Sequence, residues 1–413
     1  MKKINLNGLK NVLSPKEMKT NYNMKPYRTF FVILFSLTIL IACKQKQQET
    51  EDKTIFIPLA EKKDMDIYDL FEDIKYIALE TNDSSLLTGI SSSSFSKLIL
   101  KNGYIYTSDV SIPLIIFDEN GKWIRTIEHK GPGPGEYLNL SQFAVSNNKE
   151  IAIVDASLKK ILFYSWEGRF LASSTFHGDY QQPRSAFYLN DSLLVVYTPS
   201  GQSEGFQFHI LNRNTLDFIN SYWPTYARQY SVGVVNFFVE FQGKYIFYSP
   251  LNPHIYELTA DSETLRYTIN VGGKISPDDY WDIKDMSWTE IREKNMWEHL
   301  YNDHREKGYI DNIMFFSEAD ETIILKFSDL KNTFDGTYAL IDKKTHNSVL
   351  FDKITFDSHL NWKPPTMFCT SDGIVVIPIP ADILLESGEG EIRKMFPNLL
   401  EDDNPILCIG KLR

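Results

Sequence analysis

A unit of three short apolar segments occurs twice in succession in the first half of this chain. The first copy spans residues 104–124 and the second spans residues 151–171. In each copy an apolar segment ends in an aspartate, a second apolar segment follows, and a turn with glycine leads to a third. The two aspartates, Asp109 and Asp155, are 46 residues apart. Short apolar segments bounded by turn residues predict three β-strands in each copy.

Gly121 and Gly168 occupy the same position in the two copies, 47 residues apart. Asn120 or Glu167 stands just before the glycine. A tight hairpin turn needs a residue with positive φ, which glycine adopts without steric cost. A repeat of forty-odd residues with several short strands is typical of β-propeller blades.

Fainter copies of the unit follow along the chain. They comprise residues 192–197, 206–211 and 216–219; 244–248, 254–258 and 265–271; 322–327 and 337–341; and 373–377 and 406–412. Residues 55–59 and 76–79 are apolar segments that we expect to complete the sixth blade, because joining first and last strands removes an open sheet edge. The sequence therefore predicts an all-β fold, a six-bladed β-propeller over residues 54–413. Five or seven blades are the alternatives that the fainter copies leave open.

Residues 276–307 depart from the β pattern. They begin Ser276-Pro277, followed by two aspartates, which is a favourable helix start because serine caps, proline suits the first turn and acids suit its dipole. Apolar residues then recur at helical spacing. We predict one or two helices inserted between blades four and five. The tryptophan-rich face of this insert either packs on the propeller or forms a lid or partner surface.

The N-terminal region has the pattern of an export signal. Residues 30–41 form an apolar run of 12, which is the length of a signal-peptide core and is short for a transmembrane helix. Lys25 and Arg28 supply the positive charge before it. We predict a signal peptide over residues 1–42, and translation from Met24 would give a more compact leader.

The apolar run ends Leu40-Ile41-Ala42-Cys43, which looks like a lipobox. We predict cleavage before Cys43, lipid attachment to this cysteine, and a polar tether over residues 43–53. Lys44 stands where an aspartate would suggest retention in the inner membrane of some bacteria. The sequence therefore favours an outer-membrane lipoprotein that faces either the periplasm or the cell surface.

The charge of the chain argues against nucleic acid as a partner. The formal net charge is −11, and the lysines and arginines form no basic stripe. Of the three cysteines, Cys369 and Cys408 are either core residues or a disulfide pair. The cysteines and histidines show no zinc-binding spacing.

Several short motifs resemble those of the six-bladed β-propeller lipoproteins of Bacteroidetes, which are similar to NHL-repeat propellers. They are Gly131-Pro132-Gly133-Pro134-Gly135-Glu136-Tyr137, Leu79-Glu80-Thr81, Ile255-Tyr256-Glu257-Leu258 and Asp403-Asn404-Pro405. The resemblance covers about residues 54–413. It implies the propeller fold and no particular activity.

The glycine–proline loop at residues 131–137 has two interpretations. As a connector, it would step rigidly between blades, with Tyr137 packed and Glu136 capping backbone amides. As a ligand site, it would present Gly131, Gly133, Gly135, Glu136 and Tyr137 on one propeller face. It lacks the lysine and the following helix of a phosphate-binding loop.

The remaining candidates for chemistry are weaker. Asp109 and Asp155 either brace turns or contribute to a Ca²⁺-binding ring. His299 and His304 are five residues apart and so do not share one helix face. No Gly-x-Ser-x-Gly motif is present. We therefore predict no catalytic residues, no metal and no cofactor.

Two functional hypotheses remain open. The favoured one is a membrane-anchored extracytoplasmic binding or scaffold module for a glycan, a peptide or an envelope protein. The alternative is a periplasmic or surface hydrolase or lyase with a metal at the propeller centre. Propeller active sites are assembled from separated loops, so missing local motifs exclude little.

Overall fold

A computed structural model describes residues 53–87, 97–109, 112–175, 185–197, 206–224, 238–248, 251–277, 290, 293–329 and 336–413. The chain divides into two compact units, and the elements described below belong to the unit Thr54–Arg413. The predicted signal peptide, Cys43 and almost all of the tether lie outside the described residues. Among the described helices, none has the length and apolarity needed to cross a bilayer.

The described residues form six sheets, which we number as blades one to six along the chain. Three N-terminal strands precede blade one: β1 (Thr54–Ile57), β2 (Lys63–Asp66) and β3 (Phe71–Ala78), with helix α1 (Ile67–Leu70) before β3. Blade one contains β4 (Lys97–Lys101), β5 (Tyr104–Asp109), β6 (Ile112–Asp118) and β7 (Trp123–Ile127). Blade two contains β8 (Gln142–Val145), β9 (Ile151–Asp155), β10 (Lys160–Tyr164) and β11 (Phe170–Thr175).

The remaining blades follow the same order. Blade three contains β12 (Ser185–Asn190), β13 (Leu193–Tyr197), β14 (Phe206–Asn212) and β15 (Phe218–Pro224). Blade four contains β16 (Phe238–Phe241), β17 (Lys244–Phe247), β18 (His254–Leu258) and β19 (Glu263–Val271). After helix α2 (Met296–Lys307), blade five contains β20 (Asn312–Glu318), β21 (Thr322–Ser328), β22 (Thr337–Asp342), β23 (Ser348–Thr355) and β24 (Asn361–Trp362). Blade six contains β25 (Phe368–Cys369), β26 (Ile374–Ile379), helices α3 (Ala381–Glu386) and α4 (Glu391–Met395), and β27 (Ile406–Leu412).

The central strands of the blades are buried on both faces. All five residues of β9 are buried, and so are the last four of β10. This follows from blade stacking, because each sheet packs its two faces against the neighbouring sheets. The apolar clusters accordingly join residues of adjacent blades, for example Phe143 with Ile116 between blades two and one.

The ring closes as the sequence predicts for residues 76–79. β3 pairs antiparallel with β27, from Ala78 opposite Ile406 to Phe71 opposite Leu412. The N-terminal strand thus becomes the last strand of blade six, which leaves no open edge between the chain ends.

The expectation that residues 55–59 complete blade six is wrong. β1 pairs in parallel with β19 at the outer edge of blade four, with Ile55 opposite Ile269. β2 likewise pairs in parallel with β23 of blade five. The N-terminal segment therefore adds one strand to each of blades four, five and six in turn. The apolar pattern of residues 55–57 is correct for a strand, but its partner lies more than two hundred residues away and leaves no local signal.

The two predicted glycine turns have positive φ, 83° at Gly121 and 85° at Gly168. Both turns also contact the segment that follows the last strand of the preceding blade. Glu80 donates its backbone N–H to the Gly121 carbonyl at 2.8 Å, and His129 Nε2 lies 2.8 Å from the Gly168 carbonyl. A Cβ on Gly121 would lie 2.1 Å from the Ala78 carbonyl oxygen, so glycine is required there for space as well as for φ.

The insert between blades four and five contains α2, as predicted for the end of residues 276–307. Most of the insert before α2, including Trp281 and Trp288, lies outside the described residues. Ser276, the predicted cap, donates its hydroxyl to the Asp311 carboxylate. His304 Nε2 is 2.7 Å from the other Asp311 oxygen, and all three side chains are buried. This contact holds α2 against the start of blade five.

Candidate binding cavity at the centre of the propeller

A cavity of about 300 Å³ lies among the first strands of the blades. Its lining comes from blades one, two, three, four and six. The first strand of a blade pairs on one edge only, so its other edge presents unpaired backbone groups to the centre. Blade four and blade six meet directly beside the cavity, where Glu240 and Ser371 form an isolated bridge.

Lys97, the first residue of β4, extends its side chain into this cavity. Its ammonium group donates to the Phe143 carbonyl of blade two at 2.7 Å and to the Ala186 carbonyl of blade three at 3.4 Å. Nζ also lies 5.4 Å from the centre of the Phe143 ring. One side chain of blade one therefore satisfies backbone carbonyls at the edges of the next two blades.

The charge of Lys97 has no carboxylate partner among the described residues. The side chain is only 8% exposed. Burial disfavours the charged form and lowers the pKa of the Lys97 ammonium to about 7. A lysine with this environment in a cavity is a candidate functional group.

The other polar groups of the lining are already partly engaged. Asp372 accepts the backbone N–H of Gln242 at 2.7 Å and donates its own N–H to the Glu240 carbonyl at 2.8 Å. The Tyr245 hydroxyl lies 3.5 Å from the Glu240 carboxylate. Ser185 and Ser371 also line the cavity. Their hydroxyls form no hydrogen bond within the described part of the chain.

A second depression of about 780 Å³ lies between blades six and one. It is lined by β3 and β27 on one side and by β4, β5 and the turn after β6 on the other. Leu100, Lys101 and Asn102 line both this groove and the central cavity. The groove therefore borders the cavity at the end of β4 opposite Lys97.

The loop at residues 131–137 connects β7 of blade one to β8 of blade two. Tyr137 is 1% exposed, and its hydroxyl donates to the Ile127 carbonyl at 2.9 Å. The Glu136 carboxylate folds back and accepts the Gly133 backbone N–H at 3.0 Å. Both geometric features of the connector interpretation, a packed tyrosine and a capping glutamate, are present.

The three glycines of this loop are closely approached by other groups. A Cβ on Gly131 or Gly133 would lie 2.0 or 2.8 Å from the Glu136 carboxylate. A Cβ on Gly135 would lie 2.8 Å from the Phe170 ring, and the Gly135 carbonyl accepts the Tyr164 hydroxyl at 3.1 Å. The loop lies outside both cavities described above. Its assignment as a ligand site stays a prediction.

Asp155 is fully buried and braces its surroundings. One carboxylate oxygen accepts backbone N–H groups of Leu138 and Asn139, and the other accepts those of Ser157 and Leu158. These four bonds explain why an aspartate stands at this position. Asp109 ends β5 at the equivalent place.

Within the described residues, no group of three or more histidine, cysteine, aspartate or glutamate side chains is arranged to hold a metal ion. His299 is exposed and His304 is buried against Asp311. Cys369 and Cys408 are both free and buried, on strands separated by β26. Burial raises the pKa of each thiol to about 12. They are core residues, as the first of the two sequence interpretations predicts.

Lys97 is not among the site residues that the sequence predicts. Its signal was the segment Lys97–Lys101, KLILK, in which a lysine shares one strand face with Ile99. Side chains alternate along a strand, so Lys97 lies on the same face as Ile99, which is half-buried and packs against the apolar cluster of blades one and two. A terminal lysine more often lies in solvent, and its carbonyl partners are not specified by residue type.

A family model described as "Domain of unknown function (DUF4934)" matches residues 53–411. The chain belongs to this family. Comparison with curated protein sequences gives no significant match. The matched region coincides with the propeller.

One solved structure supports the fold. The chain is similar to a candidate exported protein of Bacteroides fragilis NCTC 9343, with a TM-score of 0.67 and 20% identity over 87% of this chain and 99% of that chain. A member of the DUF4221 family from Bacteroides vulgatus gives a TM-score of 0.46 and 10% identity over 83% and 98%. The first likeness confirms the six-bladed propeller. The lipoprotein character and the likeness to NHL repeats remain predictions.

Proposed function

We propose that this chain is an exported, lipid-anchored binding module whose ligand occupies the central cavity. The observation that carries the proposal is the Lys97 ammonium group, buried in a cavity of about 300 Å³ without a carboxylate partner in the described structure. Ligand pockets are concave, mostly apolar, and orient their ligands with a few polar groups. The cavity is concave, and its lining combines apolar strand residues with polar side chains that include two lysines and two carboxylates.

The alternative enzyme, with a metal at the propeller centre, receives less support from these residues. A divalent cation in the cavity would meet the ammonium of Lys97 rather than a ring of carboxylates. The nearest acids along the lining, Glu240 and Asp372, are already engaged with Tyr245 and Gln242. The proposal therefore retains the binding hypothesis.

Export and anchoring rest on the N-terminal sequence. Lys25 and Arg28, the apolar run and Cys43 together match a lipoprotein signal. A structural neighbour from Bacteroides fragilis is described as a candidate exported protein, in agreement with this proposal. We place the protein at the outer membrane, facing the periplasm or the cell surface.

Replacing Cys43 with alanine is expected to release the protein from the membrane. Lipid chains contribute about 0.8 kcal/mol per buried CH₂ group, and without them the polar tether has no affinity for the bilayer. The measurement is the share of protein in the membrane fraction, together with incorporation of a labelled fatty acid. Cys408→Ala is the matched control and should stay anchored and labelled. A membrane-bound, labelled C43A variant would contradict the assignment.

Native mass spectrometry of the full chain tests the binding function. After incubation with an extract of polar bacterial metabolites, the wild type is expected to carry the added mass of one small molecule. Lys97→Met, which keeps a long unbranched side chain, should lose it. Lys353→Met changes an exposed lysine of blade five and should keep it. An unliganded wild type, or equal retention by K97M, would count against the cavity as the site.

A further inference from the structure

We propose that the ligand of the central cavity is a small hydroxylated carboxylic acid whose carboxylate pairs with Lys97. This inference rests on the proposed function and names the ligand class for the same cavity. It follows from the one unused N–H donor of Lys97, from the lack of a carboxylate partner for its charge and from the hydroxyl groups that line the cavity.

One N–H donor of the Lys97 ammonium group is unused within the described structure. A lysine ammonium carries three N–H donors and no acceptor. Two are directed to the carbonyls of Phe143 and Ala186. The third has no partner among the described residues. It is therefore available to an acceptor on a ligand.

The missing counter-charge specifies what that acceptor carries. A buried charge is costly unless it is paired. Lys97 forms no ion pair with any described residue. The two carboxylates of the lining do not pair with it, since Asp372 accepts the Gln242 N–H and Glu240 lies beside the Tyr245 hydroxyl. An ionised carboxylate supplies both the acceptor and the opposite charge, whereas a neutral hydroxyl supplies only the acceptor.

The cavity favours hydroxyl groups on the ligand. Ser185 and Ser371 line it with hydroxyls that form no hydrogen bond within the described structure, and each can donate or accept. The volume of about 300 Å³ is at the lower end for ligand pockets. A compact acid with several hydroxyl groups, such as a sugar acid, meets these constraints.

Binding of such an acid should take up a proton. Burial lowers the pKa of Lys97 to about 7, so the ammonium form that pairs with the ligand becomes scarce above this pH. The affinity is then expected to fall about tenfold for each pH unit above 7. The other titratable groups of the lining are Lys101, Tyr188, Glu240, Tyr245, Cys369 and Asp372. Burial raises the pKa of both tyrosines, and that of Cys369 to about 12, above this pH window.

The test compares D-glucuronate with D-glucose, which share a ring and differ at one carboxylate. Titration calorimetry with the full chain is expected to show glucuronate binding at pH 6, binding at least tenfold weaker at pH 8.5, and no binding of glucose. K97M should lose binding, and Lys353→Met should retain it. Glu240→Gln and Asp372→Asn should keep the same pH dependence, which assigns the proton to Lys97.

Three results would overturn the proposal: no binding of glucuronate at pH 6, equal binding of glucose, or an affinity that is unchanged between pH 6 and 8.5. These results concern the class of ligand and can be distinguished from failure of the binding function itself. A neutral metabolite retained by the wild type and lost by K97M would leave the cavity as a site and exclude an acid as its ligand. A wild type that retains nothing would remove both proposals.

Discussion

Replacement of Asn404 with alanine is expected to lower the free energy of unfolding by about 4 kcal/mol. Asn404 is 1% exposed, and its side chain joins the two ends of the ring. Its amide oxygen accepts the Leu87 N–H at 2.8 Å, and its amide nitrogen donates to the carbonyls of Glu80 and Ser85 at 2.8 and 2.9 Å. Alanine leaves the buried Leu87 N–H and the Ser85 carbonyl without partners, at a cost of about 1–3 kcal/mol each before water enters. The Glu80 carbonyl loses one of its two donors and keeps the Ser85 hydroxyl at 2.7 Å.

The measurement is urea unfolding of the full chain. Asn148→Ala is the control, because Asn148 is exposed and its amide nitrogen donates to Asp191 on the surface. We expect a change of less than about 0.5 kcal/mol there. Asn404→Asp should also destabilise the protein, since an aspartate keeps the acceptor for Leu87 but loses both amide donors. If N404A unfolds at the wild-type urea concentration, the ring is not closed through this residue.

Asn404 also illustrates what motif resemblance can and cannot supply. In the sequence, Leu79-Glu80-Thr81 and Asp403-Asn404-Pro405 indicate only a resemblance to a family. In the structure they contact each other, since the Asn404 N–H donates to the Thr81 hydroxyl at 2.8 Å and its side chain bonds the Glu80 carbonyl. The resemblance indicates both segments. Only the fold shows that they contact each other where the two ends of the propeller ring meet.

The blades were predictable where the strands were long and the turns tight. Gly121 and Gly168 mark the hairpins correctly, and three strands of each of the first two blades follow from them. The first strand of a blade was missed. β8 is four residues long and fully buried, so it shows no alternation of apolar and polar residues. The sequence of such a strand shows no alternation of period two, so it cannot be distinguished from a connecting segment.

The candidate site was predictable only in part, for a different reason. The loop at residues 131–137 stands out by composition, yet its glutamate and tyrosine are engaged within the connector between two blades. The cavity instead depends on Lys97 meeting the backbone carbonyls of residues 143 and 186. Backbone groups are the same for every residue type, so only the arrangement of the blades identifies them as partners.

Lys97→Met is expected to change how stability depends on pH. A group whose pKa is lower in the folded than in the unfolded protein binds fewer protons when folded, so stability rises with pH between the two values. For Lys97 these are about 7 in the folded protein and about 10.4 in the unfolded chain. The wild type should therefore gain about 1.4 kcal/mol per pH unit relative to K97M above pH 7, and about 3 kcal/mol in total between pH 6 and 9.

The difference in unfolding free energy between the two proteins, measured at several pH values, isolates this effect. Methionine also leaves the Phe143 and Ala186 carbonyls without their donor. That cost is independent of pH, so it changes the difference in unfolding free energy by a constant and leaves its slope against pH unchanged. Buried tyrosines titrate alike in both proteins and cancel. Lys353→Met should give a flat difference, because its ammonium is exposed. A flat difference for K97M as well would mean that Lys97 stays charged throughout, and a permanently charged lysine could not link ligand affinity to pH.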